Sequence, residues 1–219
     1  MKLNVEYSLE KDLWNHTRLF GSTGYSYGQI DREKQLINKL PPEIQYIFNA
    51  HETVVEKTLR LSDYLRSHYE LKKKEFFDNI SCLNNLWRDV GDQVIYQLEI
   101  LYDKKFPFEA TTAFITTSFA CPYDFERRNF FVRKSYPRDQ VDTIKHELNH
   151  FMFLYYFPKL ENKLGHNRYQ LLKESLTFFT NPEQPGYPDE DRLRKLYLSR
   201  KWKNMNGIVK AGAKLLRSS

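Results

Sequence analysis

Two histidines and a glutamate stand at metal-binding spacing in the stretch TIKHELNHFMFLYYF, residues 143–157. His146, Glu147 and His150 form the pattern H-E-x-x-H. On a helix, positions i and i+4 lie on one face, so both imidazoles can reach one ion. Neutral imidazole is a preferred ligand of zinc, whose tetrahedral geometry accepts two neighbours from one helical turn. The pattern therefore predicts a zinc site rather than a chance pair of buried histidines.

Glu147 is the residue type that a hydrolytic zinc site needs beside its ligands. It follows the first histidine and is displaced around the helix, so its carboxylate can reach a water at the metal without becoming a ligand. Zinc lowers the pKa of such a water towards ~7, and a carboxylate can take its proton as it attacks a carbonyl. We therefore expect Glu147 to be the general base.

A catalytic zinc normally has three protein ligands and an open position, so one more ligand is needed. The downstream candidates are Glu161, His166, Glu174, Glu183 and Asp191. Glu174 is favoured because its apolar neighbours in YQLLKESLTFFT predict a helix in the core, where an unpaired carboxylate would be costly. His166 is the second choice, since it stands beside Gly165 in a predicted loop. The alternative for Glu174 is an ion pair with Arg168 or Lys173 at the helix edge.

The neighbouring sequence predicts the elements that position these residues. A helix begins near Asp139 and runs to about Phe157, where Pro158 ends it. Another helix is expected around residues 168–179. Before them, residues 111–123 and 129–137 are rich in β-branched and aromatic side chains, which predicts a hairpin or two neighbouring strands.

The rest of the chain is predicted to be mainly helical. In order, we expect a strand over 2–9, a loop over 20–28, a helix from Asp31 that ends at Leu40-Pro41-Pro42, longer helices to about 104, a turn over 181–188 and a helix over 189–204. The fold class is thus α+β, mainly helical, with a small β-sheet preceding the H-E-x-x-H helix. We expect a single domain over 1–219, with a strand and helical segment in 1–105, the metal-site core in 106–181 and a helical segment in 182–219. The N-terminal helices are expected to belong to the core; capping a cleft or binding a partner are the alternatives.

Composition and charge narrow the function classes. The 219 residues are 41% hydrophobic and 16% aromatic, which excludes a disordered chain. The net charge is +6, but 34 basic residues are mixed with 28 acidic ones, so a nucleic-acid partner is unlikely on this ground and the basic stretch at 192–203 is expected to be a solvated helix face. Two cysteines imply no disulfide framework. The N-terminal segment has no apolar core of signal-peptide length, and the longest apolar run, residues 151–158, is too short to span a membrane. We therefore expect a cytoplasmic protein with no membrane partner.

His146-Glu147-x-x-His150 followed by Glu174 on a later helix resembles the gluzincin branch of zincin metallopeptidases, in particular its minimal single-domain members. The resemblance covers about residues 108–181. It implies a zincin-like fold, Zn²⁺ held by His146, His150 and Glu174, Glu147 as general base, and a peptide or protein substrate. It also implies that the strand within 111–119 is an edge strand that pairs with an extended substrate.

Some features of the family are absent. Phe153 and Tyr156 exclude the metzincin pattern, and Phe178 stands where many gluzincins have an aspartate that orients a zinc-bound histidine. That orienting role must come from elsewhere; the candidates are Asn149, Thr177 and Asn181. Donors that could stabilise an oxyanion are His166, Arg168, Tyr169 and Tyr187.

The sequence therefore predicts zinc-dependent hydrolysis of a peptide bond, with endo- or exopeptidase action left open. One alternative is a zincin-like regulatory or interaction module that turns over poorly. Another is a basic nucleic-acid-associated protein whose H-E-x-x-H is coincidental.

Overall fold

The computed structural model describes residues 1–18, 37–183, 188–199 and 201–218. Its strands and α-helices are, in order, β1 (Lys2–Tyr7), α1 (Leu9–Thr17), α2 (Pro42–Asn49), α3 (Val54–Tyr102), β2 (Ala110–Thr116), β3 (Tyr123–Asp124), β4 (Asn129–Arg133), α4 (Pro137–Tyr156), α5 (Glu161–Leu164), α6 (His166–Ser175), α7 (Asp191–Leu198) and α8 (Met205–Arg217). Short 3-10 helices cover Pro158–Leu160, Leu176–Phe179 and Pro188–Glu190. The predicted α+β class, mainly helical with a small sheet, is confirmed.

The four strands form one sheet in the order β1-β2-β4-β3. β2 and β4 are parallel neighbours, with Phe114 opposite Phe131 and Ile115 opposite Val132. Because parallel strands cannot be joined by a tight turn, the two predicted strand segments are neighbours and not a hairpin. The short strand β3, in the connection between them, pairs antiparallel with β4.

The prediction that the strand within 111–119 is an edge strand is wrong. β2 has β1 on one side and β4 on the other. The backbone groups of an interior strand are already engaged on both sides, so it cannot accept an added peptide strand. The edges of the described sheet are β1 and β3.

Helix α1 was not predicted, although the sequence carries its start signal. The Ser8 side chain caps it by accepting a hydrogen bond from the backbone N–H of Lys11 at 3.3 Å, and Glu10 and Asp12 lie in its first turn. The predicted break at Pro41-Pro42 is confirmed, since α2 begins at Pro42. The loop predicted over 20–28 and the helix predicted from Asp31 lie outside the described residues.

Residues 54–102 form one helix of 49 residues, α3, where the sequence predicted several. Thr53 and Glu56 form a capping box at its start: the N–H of Glu56 donates to Thr53 Oγ1 at 3.2 Å, and the N–H of Thr53 donates to Glu56 Oε2 at 2.8 Å. Gly91 does not interrupt the helix. A Cβ at this position would lie 2.7 Å from the Trp87 indole, so the glycine makes room for a packed ring.

The predicted helix that carries H-E-x-x-H is confirmed as α4, Pro137–Tyr156. The predicted last helix over 189–204 is shorter, because α7 ends at Leu198 and a further helix, α8, follows. Asn204 caps α8 by accepting a hydrogen bond from the N–H of Gly207 at 3.3 Å.

The chain divides into two compact units. The sheet unit comprises Leu3–Leu86 and Thr111–Gln140, and the site unit comprises Met1–Lys2, Trp87–Ala110 and Val141–Ser219. The sheet unit has a buried apolar cluster of Leu40, Ile44, Ile47, Phe48, Leu61 and Leu65. Among the described residues, no helix combines the length and the apolar character that a membrane span requires.

The core of the site unit is built from α4 and the helices that follow it. Phe153 of α4 and Tyr169 of α6 have ring centroids 5.0 Å apart, and both side chains are buried. The hydroxyls of Ser175 and Tyr197 lie 2.7 Å apart in the same core and join α6 to α7. These contacts fix α6 against α4, and the predicted ligands lie on these two helices.

Candidate metal centre

Helix α4 brings the two histidines of H-E-x-x-H together as their spacing predicts. The ring centroids of His146 and His150 are 4.4 Å apart. A possible ligand atom from each of His146, Glu147 and His150 lies within 4.8 Å of the others. His150 and Glu147 are buried, with 2% and 4% of their surfaces exposed. The opposite faces of the helix carry Ile144, Leu148 and Phe151, which are all fully buried, so the apolar residues of the stretch anchor the helix in the core.

Glu174 reaches the two histidines from the second helix, α6. Its Oε2 atom lies 3.4 Å from His146 Nε2 and 3.2 Å from His150 Nε2. The residue preferred as third ligand on sequence grounds thus lies beside the first two. The other preferred candidate, His166, is in a different place: its side chain is 57% exposed and its Nδ1 lies 2.8 Å from Glu161 Oε1.

The alternative considered for Glu174, an ion pair, is also present. Lys173 Nζ lies 2.9 Å from Glu174 Oε1, and the lysine side chain is only 3% exposed. The ion pair with Lys173 and the contacts with the two histidines are therefore compatible, because each oxygen of the carboxylate has its own set of neighbours. From the sequence, Lys173 was expected only as an alternative ion-pair partner of Glu174, and its place as a buried neighbour of the centre was missed. Its place beside Glu174 in a predicted core helix was the available signal.

Burial and charge shift the pKa values of all four groups. Burial raises the pKa of Glu147 to about 7, so this carboxyl can accept or release a proton near neutrality. Burial lowers the pKa of His150 to about 3, against the opposing effect of Glu174, and leaves this imidazole neutral as a metal ligand must be.

His146 and Glu174 form a coupled pair. Burial alone would lower the pKa of His146, but its hydrogen bond to Glu174 and the charges of Glu147 and Glu174 raise it. Burial works against the charged form of Glu174, yet His150, His146 and Lys173 hold its pKa well below the usual value. The two shifts share a cause, because each group favours the charged form of the other.

The side chains fit a zinc ion by their type, and one of them has a buried oxygen without a hydrogen-bond donor. Two imidazole nitrogens and one carboxylate oxygen are a common ligand set of catalytic zinc. Glu147 Oε2 is buried and has no hydrogen-bond partner. A buried carboxylate oxygen without a donor is costly, and a water held at the metal would supply that donor.

Hydrogen bonds of Asn149 and Asn181 connect α4 to the segment that follows α6. Asn149 donates from Nδ2 to the carbonyl of Leu176 at 3.0 Å, and its Oδ1 accepts a hydrogen bond of 2.5 Å from the Tyr102 hydroxyl. Asn181 Nδ2 donates to the carbonyl of Asp142 at 2.8 Å. These hydrogen bonds therefore join α3, α4 and the 3-10 helix that follows Glu174.

Asn149, Thr177 and Asn181 were the candidates for orienting a zinc-bound histidine, and their hydrogen bonds indicate a different role. The side chains of Asn149 and Asn181 bind backbone carbonyls, and Thr177 Oγ1 donates to the carbonyl of Glu174 at 2.7 Å. All three position the backbone of α4 and α6 and do not orient an imidazole.

Of the residues considered for oxyanion stabilisation, Tyr169 lies in the core, 2% exposed. His166 and Arg168 are exposed at the start of α6, and Tyr187 lies outside the described residues.

A cavity of about 610 Å³ lies in the sheet unit, lined by Pro42, Glu43, Tyr46, Ile47, Arg60, Asp63 and Tyr64. None of the four residues of the centre lines it, so it has no part in the chemistry of that centre. Comparison of the chain with protein-family models, curated proteins and solved structures found no match. The interpretation of the centre therefore rests on its own side chains.

Proposed function

We infer that the chain is a zinc-dependent metallopeptidase of gluzincin type with a zincin-like site unit. The observation that supports this most directly is the position of Glu174 Oε2, 3.4 Å and 3.2 Å from the Nε2 atoms of His146 and His150. A carboxylate from a second core helix beside two i, i+4 imidazoles is the arrangement that such a site requires. His146, His150 and Glu174 would hold the ion.

Bound zinc supplies Lewis acidity that makes water a nucleophile near neutral pH and polarises a peptide carbonyl. Glu147 then does the proton chemistry. Its buried Oε2, which has no other donor, accepts a proton from the attacking water as the new C–O bond forms. The same oxygen delivers the proton to the departing amide nitrogen when the C–N bond breaks, so the carboxylate is regenerated. A pKa raised to about 7 by burial suits a group that must both take and give a proton.

The decisive test separates metal binding from turnover. Purified protein should retain about one zinc per chain, and Glu147→Gln should retain as much zinc while losing at least ~10²-fold in cleavage of a mixed peptide library. Glu174→Ala should lower zinc retention. Glu183→Gln, an equivalent change at an exposed position, serves as the control and should alter neither.

Each other outcome points to one alternative. Zinc retained by a native protein that cleaves no peptide would favour a zincin-like interaction module. Protein without stoichiometric zinc would contradict both the enzyme and that module, and would leave H-E-x-x-H as a coincidence. Unchanged zinc retention in Glu174→Ala would assign the third ligand to another residue.

A further inference from the structure

Lys173 is a buried cation in direct contact with the proposed metal site. Its side chain is 3% exposed, and Nζ lies 2.9 Å from Glu174 Oε1. Placing an ammonium group in the protein interior costs several kcal/mol unless a charged partner compensates. An apolar residue would fill the same volume more cheaply, so the charge itself needs an explanation.

Helix geometry alone does not produce this contact. Neighbouring residues on a helix point about 100° apart and do not face each other. The 2.9 Å contact therefore depends on the conformations of the two long side chains. The contact is thus made by the arrangement of the core and does not follow from adjacency in the sequence.

The contact divides the two oxygens of Glu174 between two sets of neighbours. Oε1 lies against Lys173 Nζ, whereas Oε2 faces the imidazoles of His146 and His150 at 3.4 Å and 3.2 Å. Turning the carboxylate away would break the 2.9 Å contact between Lys173 Nζ and Glu174 Oε1 in a region where buried charges are costly.

We propose that Lys173 is a positioning residue, which holds Glu174 Oε1 so that Oε2 stays directed at the two histidines and the ligand set is already assembled before the metal binds. The proposal rests on the metal site of the preceding section. It goes beyond that site because it assigns a role to a residue outside the proposed ligand set. A site assembled in advance loses less conformational freedom on binding, and its affinity for zinc is higher for that reason.

The test compares zinc affinity in three variants at position 173, by competition with a chromophoric chelator. Lys173→Met removes the charge and the hydrogen bond, and we expect a ~10–100-fold weaker zinc affinity, the usual effect of removing a group that orients a ligand. Lys173→Gln can still donate to Oε1 but carries no charge and should be intermediate. Lys173→Arg keeps both features and should restore most of the affinity. Lys163→Met removes the same charge at an exposed position of α5 and should change nothing.

Stability in the presence of EDTA controls for misfolding. Lys173→Met should lower the thermal midpoint because Glu174 loses its contact with the ammonium group, and Lys173→Met with Glu174→Gln should recover most of it. If Lys173→Met does not fold, the order of Lys173→Arg above Lys173→Gln in zinc affinity tests the proposal by itself.

Two failures can be told apart. Equal zinc affinity for the native protein and for folded Lys173→Met and Lys173→Gln would overturn the role of Lys173 and leave the metal site intact. A native protein that binds no zinc would overturn the proposed function and this inference together, and that result appears before any variant is compared.

Discussion

His16 is a second buried imidazole, and its surroundings differ from those of the metal centre. Its side chain is fully buried on α1, and Nε2 lies 2.9 Å from Thr117 Oγ1. The nearest carboxylate oxygen, Asp12 Oδ1, is 3.9 Å from Nε2, and Nδ1 has no hydrogen-bond partner. Among the described residues, His16 belongs to no group of three side chains that could hold a metal ion. Burial alone therefore does not distinguish a metal ligand from a structural histidine; the neighbours do.

The pKa of His16 gives a pH-dependent stability. Burial lowers this pKa below the ordinary value of 6.5, although Asp12 opposes the shift. Below that ordinary value the unfolded chain binds a proton that the folded state does not, so stability is lost as the pH falls. From about pH 8 to about pH 5, the native protein should lose up to about 2 kcal/mol more unfolding free energy than His16→Gln. Urea titrations at both pH values measure this difference, and parallel losses in the two proteins would contradict it.

At the scale of elements, the closeness of α8 to α6 depends on one glycine. A Cβ at Gly212 would lie 2.7 Å from Leu172 Cδ1 and 3.3 Å from Leu193 Cδ2, and both leucines are fully buried. Leu172 stands two residues before Glu174 on α6. The helix that presents the proposed third ligand is thus supported directly by the small residue behind it.

Two glycines of the same helix allow a matched comparison. Gly212→Ala should destabilise the protein by ~1–3 kcal/mol, because the added methyl group would force the buried Leu172 side chain to shift. Gly207→Ala adds the same methyl group where the nearest atom, in Trp202, is 3.7 Å away. It should be neutral or stabilising by up to about 1 kcal/mol, through helix propensity alone. Denaturant unfolding of both variants measures the difference, and equal effects would show that α8 does not rest on α6 as described.

The predictions from sequence succeeded where the pattern is local. The helix bearing H-E-x-x-H needs only its own apolar spacing and Pro158, and it was predicted nearly to its ends. The contact of Glu174 with both histidines followed from one further argument, the cost of a buried carboxylate.

The failures concern long-range arrangement. No local signal states that β2 lies between β1 and β4, since strand order depends on which segments pair across the chain. The single long helix α3 is likewise decided by packing. Helices α1 and α8 were missed for another reason. Ser8 and Asn204 are N-cap residues that can be recognised in the sequence, but they were not used as start signals.

At the scale of the whole molecule, charge is unevenly distributed along the chain. Nine of the 34 basic residues lie in 192–219, which contains no acidic residue. The remainder holds 25 basic and 28 acidic residues, so it carries a net charge of −3 and the C-terminal segment accounts for the whole basic surplus. The buried faces of α7 and α8 are apolar, and Arg192, Lys195, Lys210 and Lys214 are exposed, which agrees with the predicted solvated helix faces.

If zinc binds as proposed, its effect on stability should be confined to one of the two units. His146, Glu147, His150 and Glu174 all belong to the site unit, and Asn149 of α4 donates a hydrogen bond to Leu176, which directly follows α6. A ligand stabilises the states that contain its intact site, by about 2.7 kcal/mol at a free concentration ~100 times its dissociation constant. Zinc bound at the proposed site should suppress local openings that separate α4 from α6 by this amount, and should not suppress openings that leave the site intact.

Hydrogen exchange of metal-free and zinc-loaded protein should show this difference along the chain. Amides of α4 and α6 should exchange up to ~100-fold more slowly with zinc at that concentration, while amides of β4 in the sheet unit should change little. In Glu174→Ala the same addition of zinc should slow α4 and α6 much less, because a ligand is lost. Equal slowing in β4 would mean that both units open together, and unchanged exchange in α4 would mean that zinc does not bind where His146 and His150 meet.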